Sequence, residues 1–215
     1  MALTLSAPDW IVASPAAWRD REAGRRAGRA VALAGAGLTP VSLIAGSTFG
    51  VGLRAAAVAV LLPALALVAV LAAGDRPTAG LVRRAVGAGV SATALYDVSR
   101  FVFLAIGVVD RDPIPHIGVE LGLAPPALFG YLWRYLGNGA GLALAFLALG
   151  LRGRAAGVVY GLAACAGLLV TLALSPYGEE MLFPLGPGTV LMATVGHALF
   201  GAVLGGRAAA VAVTS

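Results

Sequence analysis

The chain has no lysine, one cysteine and few charges of either sign. Only 12% of its 215 residues are charged, about half the share of an ordinary soluble domain. A soluble globular protein is therefore not expected. The apolar excess excludes disorder: 60% of residues are hydrophobic and the mean hydropathy is +0.92. A lone cysteine, Cys165, allows no intrachain disulfide, and within Leu162-Ala-Ala-Cys-Ala-Gly-Leu-Leu it reads as a buried, inert thiol. No basic stretch precedes an apolar run at the start, so a cleavable signal peptide is not expected. The pI near 10.1 comes from arginines spread over short loops, so nucleic acid is not an expected partner.

What is there is a series of long apolar runs. A helix needs about 20 residues to cross a ~30 Å hydrocarbon layer. Six segments qualify: 30–49, 55–73, 85–109, 125–150, 155–175 and 189–206. Pro40 and several glycines interrupt the first, and Pro63 is placed to kink the second. The expected fold is all-α, a polytopic integral membrane bundle of six transmembrane helices. Residues 1–29 form a cytoplasmic or interfacial segment, 30–207 the transmembrane domain, and 208–215 a short tail. Ser14-Pro15 suits a helix start, and Trp10 and Trp18 suit an interfacial helix.

The arginines set an orientation. Arg19, Arg21, Arg25, Arg26 and Arg29 precede span one, and Arg76, Arg83 and Arg84 separate spans two and three. Arg152 and Arg154 separate spans four and five, and Arg207 follows span six. All fall on one face of a six-span chain, against Arg54 and Arg111 on the other. Asp110, Asp112, Glu120, Glu179 and Glu180 lie on that second face. The positive-inside rule then makes both termini cytoplasmic, in a multi-pass protein of the cell membrane.

Ionisable residues within the spans are the candidate site. Asp97, Arg100, Arg134 and His197 are costly in hydrocarbon and are expected to face the interior. Arg100, Arg134 and His197 fall at one depth, roughly 12–14 Å below the outer boundary at 1.5 Å per residue. At 100° per residue, Thr93, Tyr96, Asp97 and Arg100 share one side of span three. Tyr131, Arg134, Tyr135 and Asn138 share one side of span four. The expected ligand-binding set is therefore Asp97, Arg100, Arg134, Tyr96, Tyr131, Tyr135, Asn138 and His197. One carboxylate cannot neutralise two guanidiniums. The second arginine calls for an inward-folded Glu120, Glu179 or Glu180, or for an anionic ligand.

The outer loops hold a second candidate set. His116 and Glu120 are four apart, and Glu179-Glu180 sits in a loop able to lie over the pocket. With His197 these residues form a candidate site for a divalent metal, Zn, Fe or Mn. Glu179-Glu180 does not open the EExxxR and FxxxH pattern of CAAX-type proteases, because Pro184 and Ala193 stand at the required positions. Nor do His197, Gly201 and Gly205 keep the register of a rhomboid protease helix. Six spans with an outward pocket resemble, in topology alone, the substrate-binding component of energy-coupling-factor vitamin transporters.

Three functions fit these features. The first is binding or transport of a small polar, anionic solute in an outward-facing pocket. The second is a membrane-embedded, metal-dependent enzyme acting on a lipophilic substrate at the outer leaflet. The third is a structural subunit of a larger membrane complex. The GxxxG pairs Gly46–Gly50, Gly157–Gly161 and Gly201–Gly205 allow close helix packing, within the chain or in a homo-oligomer.

Overall fold

A computed structural model describes residues 15–213, and side chains for residue 20 and residues 22–210. Ser14, Trp10 and the Trp18 side chain, proposed above as a cap and interfacial anchors, lie outside the described residues. Among the described residues the chain is all-helical, with no strand. The elements are α1 (Pro15–Ser47), α2 (Leu53–Ala73), α3 (Arg76–Ala105) and the short α4 (Ile114–Glu120). Next, Pro126–Leu132, Trp133–Gly139 and Ala140–Ala148 run on as one helix, α5, whose middle stretch is a π-helical turn. Last come α6 (Arg154–Leu174), the single turn α7 (Gly178–Met181) and α8 (Pro187–Val213).

Each expected span falls on one of the six long helices. Several ends differ from the expected spans, with α1 and α3 starting earlier, at Pro15 and Arg76. Helix α3 stops at Ala105, and α8 continues past Arg207 to Val213. Within α1, α2, α6 and α8, the stretches Glu22–Ser47, Leu53–Ala73, Arg154–Leu174 and Pro187–Ala210 are long and apolar enough to cross a membrane. That points to a membrane protein. Val70, Leu174 and Val159 are each about two-thirds exposed or more, an outward apolar surface foreign to a soluble monomer.

Local sequence explains the helix ends. Asp75 caps α3 by accepting the Thr78 amide at 2.9 Å, and Pro77 follows in the first turn. The same carboxylate meets Arg29 of α1 at 2.8 Å. Burial of the ion pair is partial, and the Asp75 carboxyl is held below its ordinary value, chiefly by the Thr78 hydroxyl and amide. Gly107 ends α3 at φ 72°, with Val108 N donating to Phe103 O at 3.0 Å. A side chain there would be strained, so this glycine turns the chain into the loop that carries Asp112.

Small residues fix the helix crossings. A Cβ on Gly157, Gly161, Gly201 or Gly205 would run into the backbone of the facing helix, so the GxxxG pairs of α6 and α8 are used on each other. Gly46–Gly50 is not a helical pair, because α1 ends at Ser47 and Gly50 sits in the following turn. Gly89 of α3 meets Gly139 of α5, and Gly37 of α1 meets Gly141 of α5. Pro40, buried inside α1, rests on Gly137 and Gly141 of α5.

Two apolar clusters result. One, around Leu33, Ala88, Phe146 and Leu204, lies toward the end that holds the start of α1 and the last turns of α8. The other, around Ile44, Ile117, Trp133 and Phe183, lies beneath α4 and α7. A cavity lies between them.

Candidate functional site

Helices α3 and α5 bring the two polar stripes together. Asp97, 2% exposed, takes both arginines on one oxygen. Arg100 Nε donates to Asp97 Oδ1 at 3.1 Å, and Arg134 Nε donates to it at 2.6 Å, with Arg134 Nη2 in ion-pair contact at 2.5 Å. Asp97 Oδ2 is buried without a hydrogen-bond partner.

The second carboxylate is Asp112. It comes from the loop before α4, and it pairs with Arg100 Nη1. Arg100 Nη2 donates to the Tyr131 hydroxyl at 3.0 Å, and that hydroxyl donates to Asp112 Oδ2 at 2.5 Å. Asp112 also accepts the Ile114 amide at 3.0 Å. The core thus contains two carboxylates and two guanidiniums, formally neutral. Glu179 and Glu180 do not fold inward: both are exposed. Glu120 stays beside His116, 3.5 Å away. The imbalance that called for an anionic ligand is removed by a residue not included in the candidate set.

Tyr96 is the hub of a stack. The Arg134 guanidinium lies over its ring, 4.5 Å from the centroid, and His197 meets it edge-on at 5.0 Å. A Cβ on Gly196 would strike that ring, so the glycine leaves room for it. His197 Nδ1 lies 2.8 Å from the Ala193 carbonyl. A carbonyl only accepts, so Nδ1 carries the hydrogen, and a neutral imidazole then presents Nε2 as an acceptor.

The cavity, about 440 Å³, is lined by α1, α3, α5, α6 and α8, within the usual size of a small-molecule site. Its roof is Pro113, Ile114 and Ile117 at α4, with Leu182 and Phe183 after α7. Arg111 ties these two loops, donating to the Glu179 carbonyl at 2.9 Å and the Glu180 carbonyl at 2.5 Å. Of the expected ligand-binding set, Tyr96, Arg100, Arg134, Asn138 and His197 line the cavity. Asp97, Tyr131 and Tyr135 do not: the first two hold the arginines, and Tyr135 stays beside Tyr131, ring centroids 6.5 Å apart. The π turn at Trp133–Gly139 widens the helix, so a regular 100° step does not carry through it. Most of the remaining wall is apolar, including Leu38, Val41, Leu142, Leu168, Met192 and Phe200.

The candidate metal ligands are not gathered. Among the described residues no three His, Cys, Asp or Glu side chains lie together as a metal group. His116 and Glu120 share a face of α4, Glu179 Oε1 caps the Leu185 amide at 3.1 Å, and His197 lies in the cavity wall. Cys165 is buried, 3.9 Å from the Thr194 hydroxyl.

The chain matches no family model, no curated protein and no solved structure. Its own geometry is therefore the ground for a functional reading.

Proposed function

We propose that this chain is a six-span protein of the cell membrane, with both termini cytoplasmic, that binds a small ligand in the cavity between α1, α3, α5, α6 and α8. The polar part of the ligand rests against Arg134, Asn138, Tyr96 and His197. The observation that carries this reading is a cavity of about 440 Å³ with its ionisable and amide groups on one side and apolar walls elsewhere.

The six-span reading is supported by how α3 and α5 distribute their polarity. Thr93, Asp97, Arg100, Arg134 and Asn138 are buried or line the cavity, while Val98, Val102, Leu128 and Leu136 are more than half exposed. A whole-helix average hides that outer face, which suits lipid. The arginine distribution supports the orientation. Because Asp97 and Asp112 balance Arg100 and Arg134, the ligand need not carry negative charge.

Two experiments test this reading. Glu180→Cys in vesicles or intact cells should react with a membrane-impermeant maleimide from outside, and Arg152→Cys only after permeabilisation; the reverse pattern overturns the orientation. Native mass spectrometry of protein extracted in mild detergent should show a bound small molecule. Asn138→Leu should lower its occupancy at least tenfold, about 1.4 kcal/mol. Wild-type protein carrying only detergent, with Asn138→Leu indistinguishable from it, overturns the binding reading.

A further inference from the structure

We infer that the ligand is a lipophile with one uncharged, hydrogen-bonding head, a hydroxyl or an amide, and that it enters sideways from the bilayer between α1 and α6. This rests on the reading of the cavity as a ligand site.

The path is a framed window. Both helices line the cavity, yet no packed interface joins them along it. At one end the frame is closed where the Tyr177 amide donates to the Thr48 carbonyl at 3.1 Å. At the other end the Tyr160 hydroxyl donates to the Leu142 carbonyl at 3.0 Å, with the Tyr160 ring against Phe146. The sides are Leu38, Ser42 and Ala45 on α1, and Ala163, Gly167 and Thr171 on α6. Ser42, Ala163 and Gly167 line the cavity and are also exposed. From Tyr160 to Thr171 the opening runs about 17 Å along the helix axis.

The chemistry of the rim suits hydrocarbon. Its two hydroxyls bond to their own helices, Ser42 to the Leu38 carbonyl at 3.0 Å and Thr171 to the Gly167 carbonyl at 2.8 Å. What faces outward is therefore apolar and small. A water-soluble solute would have to cross this rim or displace the packed Ile114, Ile117 and Phe183 of the roof. Inside, Asn138 Oδ1 is buried without a donor, and His197 Nε2 is an acceptor. Both call for a head that donates a hydrogen bond. The ion pairs are already balanced, so an ionised head would leave an uncompensated charge beside apolar walls, which desolvation disfavours.

The test uses the full chain in phosphatidylcholine vesicles and three photoactivatable diazirine probes. These are a long-chain alcohol, the matching long-chain carboxylate, and a small water-soluble diol. The alcohol should label residues 38–45 and 163–171. Gly167→Trp should lower that labelling at least tenfold, and Ala163→Trp should do the same. No atom lies within 4 Å of a Cβ built on Gly167, so a side chain can leave the backbone there without a clash, and a melting temperature close to wild type checks that the fold is kept. Labelling by the alcohol spread over outer residues such as Val58 and Val70, unchanged in both variants, overturns the lateral route. If the diol then labels the cavity, the ligand site stands and only the lipophile fails; if no probe reaches the cavity, both fail. Stronger window labelling by the carboxylate than by the alcohol overturns the uncharged head.

Discussion

Asp112→Ala is the sharpest perturbation of the polar core. It removes the partner of Arg100 Nη1, the acceptor of the Tyr131 hydroxyl and the acceptor of the Ile114 amide. One carboxylate and two guanidiniums remain, so the core gains a full positive charge. Breaking a buried pair costs about 3–5 kcal/mol. Asp112 is 24% exposed while Arg100 is 2% exposed, so solvent screens part of the loss, and about 2–3 kcal/mol is expected. For a chain of this size that is roughly 4–12 °C in melting temperature. Asp112→Asn keeps hydrogen-bonding capacity and loses only the charge, so its drop should be about half as large. The assay is thermal unfolding in detergent, with and without formate or acetate. A small carboxylate can occupy the space left in Asp112→Ala and restore the balance. It should raise the melting temperature of that variant by several degrees and leave wild type unmoved, because in wild type Arg100 and Arg134 are both already paired with carboxylates. A melting temperature for Asp112→Ala within about 1 °C of wild type, with no carboxylate effect, refutes the balanced-core reasoning.

Other outcomes follow from the same contacts. Gly161→Leu forces a side chain into the His197 carbonyl, and should destabilise the chain by at least the 1–3 kcal/mol typical of overpacking, whereas Gly167→Leu, facing open space, should melt close to wild type. Tyr160→Phe removes the bond to the Leu142 carbonyl and should lower stability by about 1 kcal/mol in chemical denaturation. For Asp75 the folded carboxyl lies below its ordinary value of 3.8. Its contribution is therefore present above that value and lost as pH falls through the lower folded one. The melting-temperature gap between wild type and Asp75→Asn should close on acidification below pH 3.8, and a gap constant with pH would contradict the capping role.

Much of the site was legible because helical geometry is local. The 100° step put Thr93, Tyr96, Asp97 and Arg100 on one face, and they are all buried on one face of α3. On α5 the same step put Arg134 and Asn138 in the cavity wall, while Tyr131 and Tyr135 fall outside it. Asp112 gave no signal beyond its charge. It is twelve residues from Arg100, in a loop whose path is decided by Gly107, Pro113 and the packing of Ile114. The candidate metal ligands present the opposite case. Residue types suited to ligation were present, and among the described residues only His116 and Glu120 meet, too few to form a metal group.

The sequence by itself determined where the long helices run, which faces are polar and which loops are basic. Those properties depend on neighbours a few residues apart along the chain. Tertiary structure alone decided that a loop carboxylate balances the second arginine, that the glycines of α6 and α8 match each other, and that α1 and α6 stand apart. Those relations join residues distant in sequence, and packing between helices fixes them, which hydrophobic periodicity does not encode.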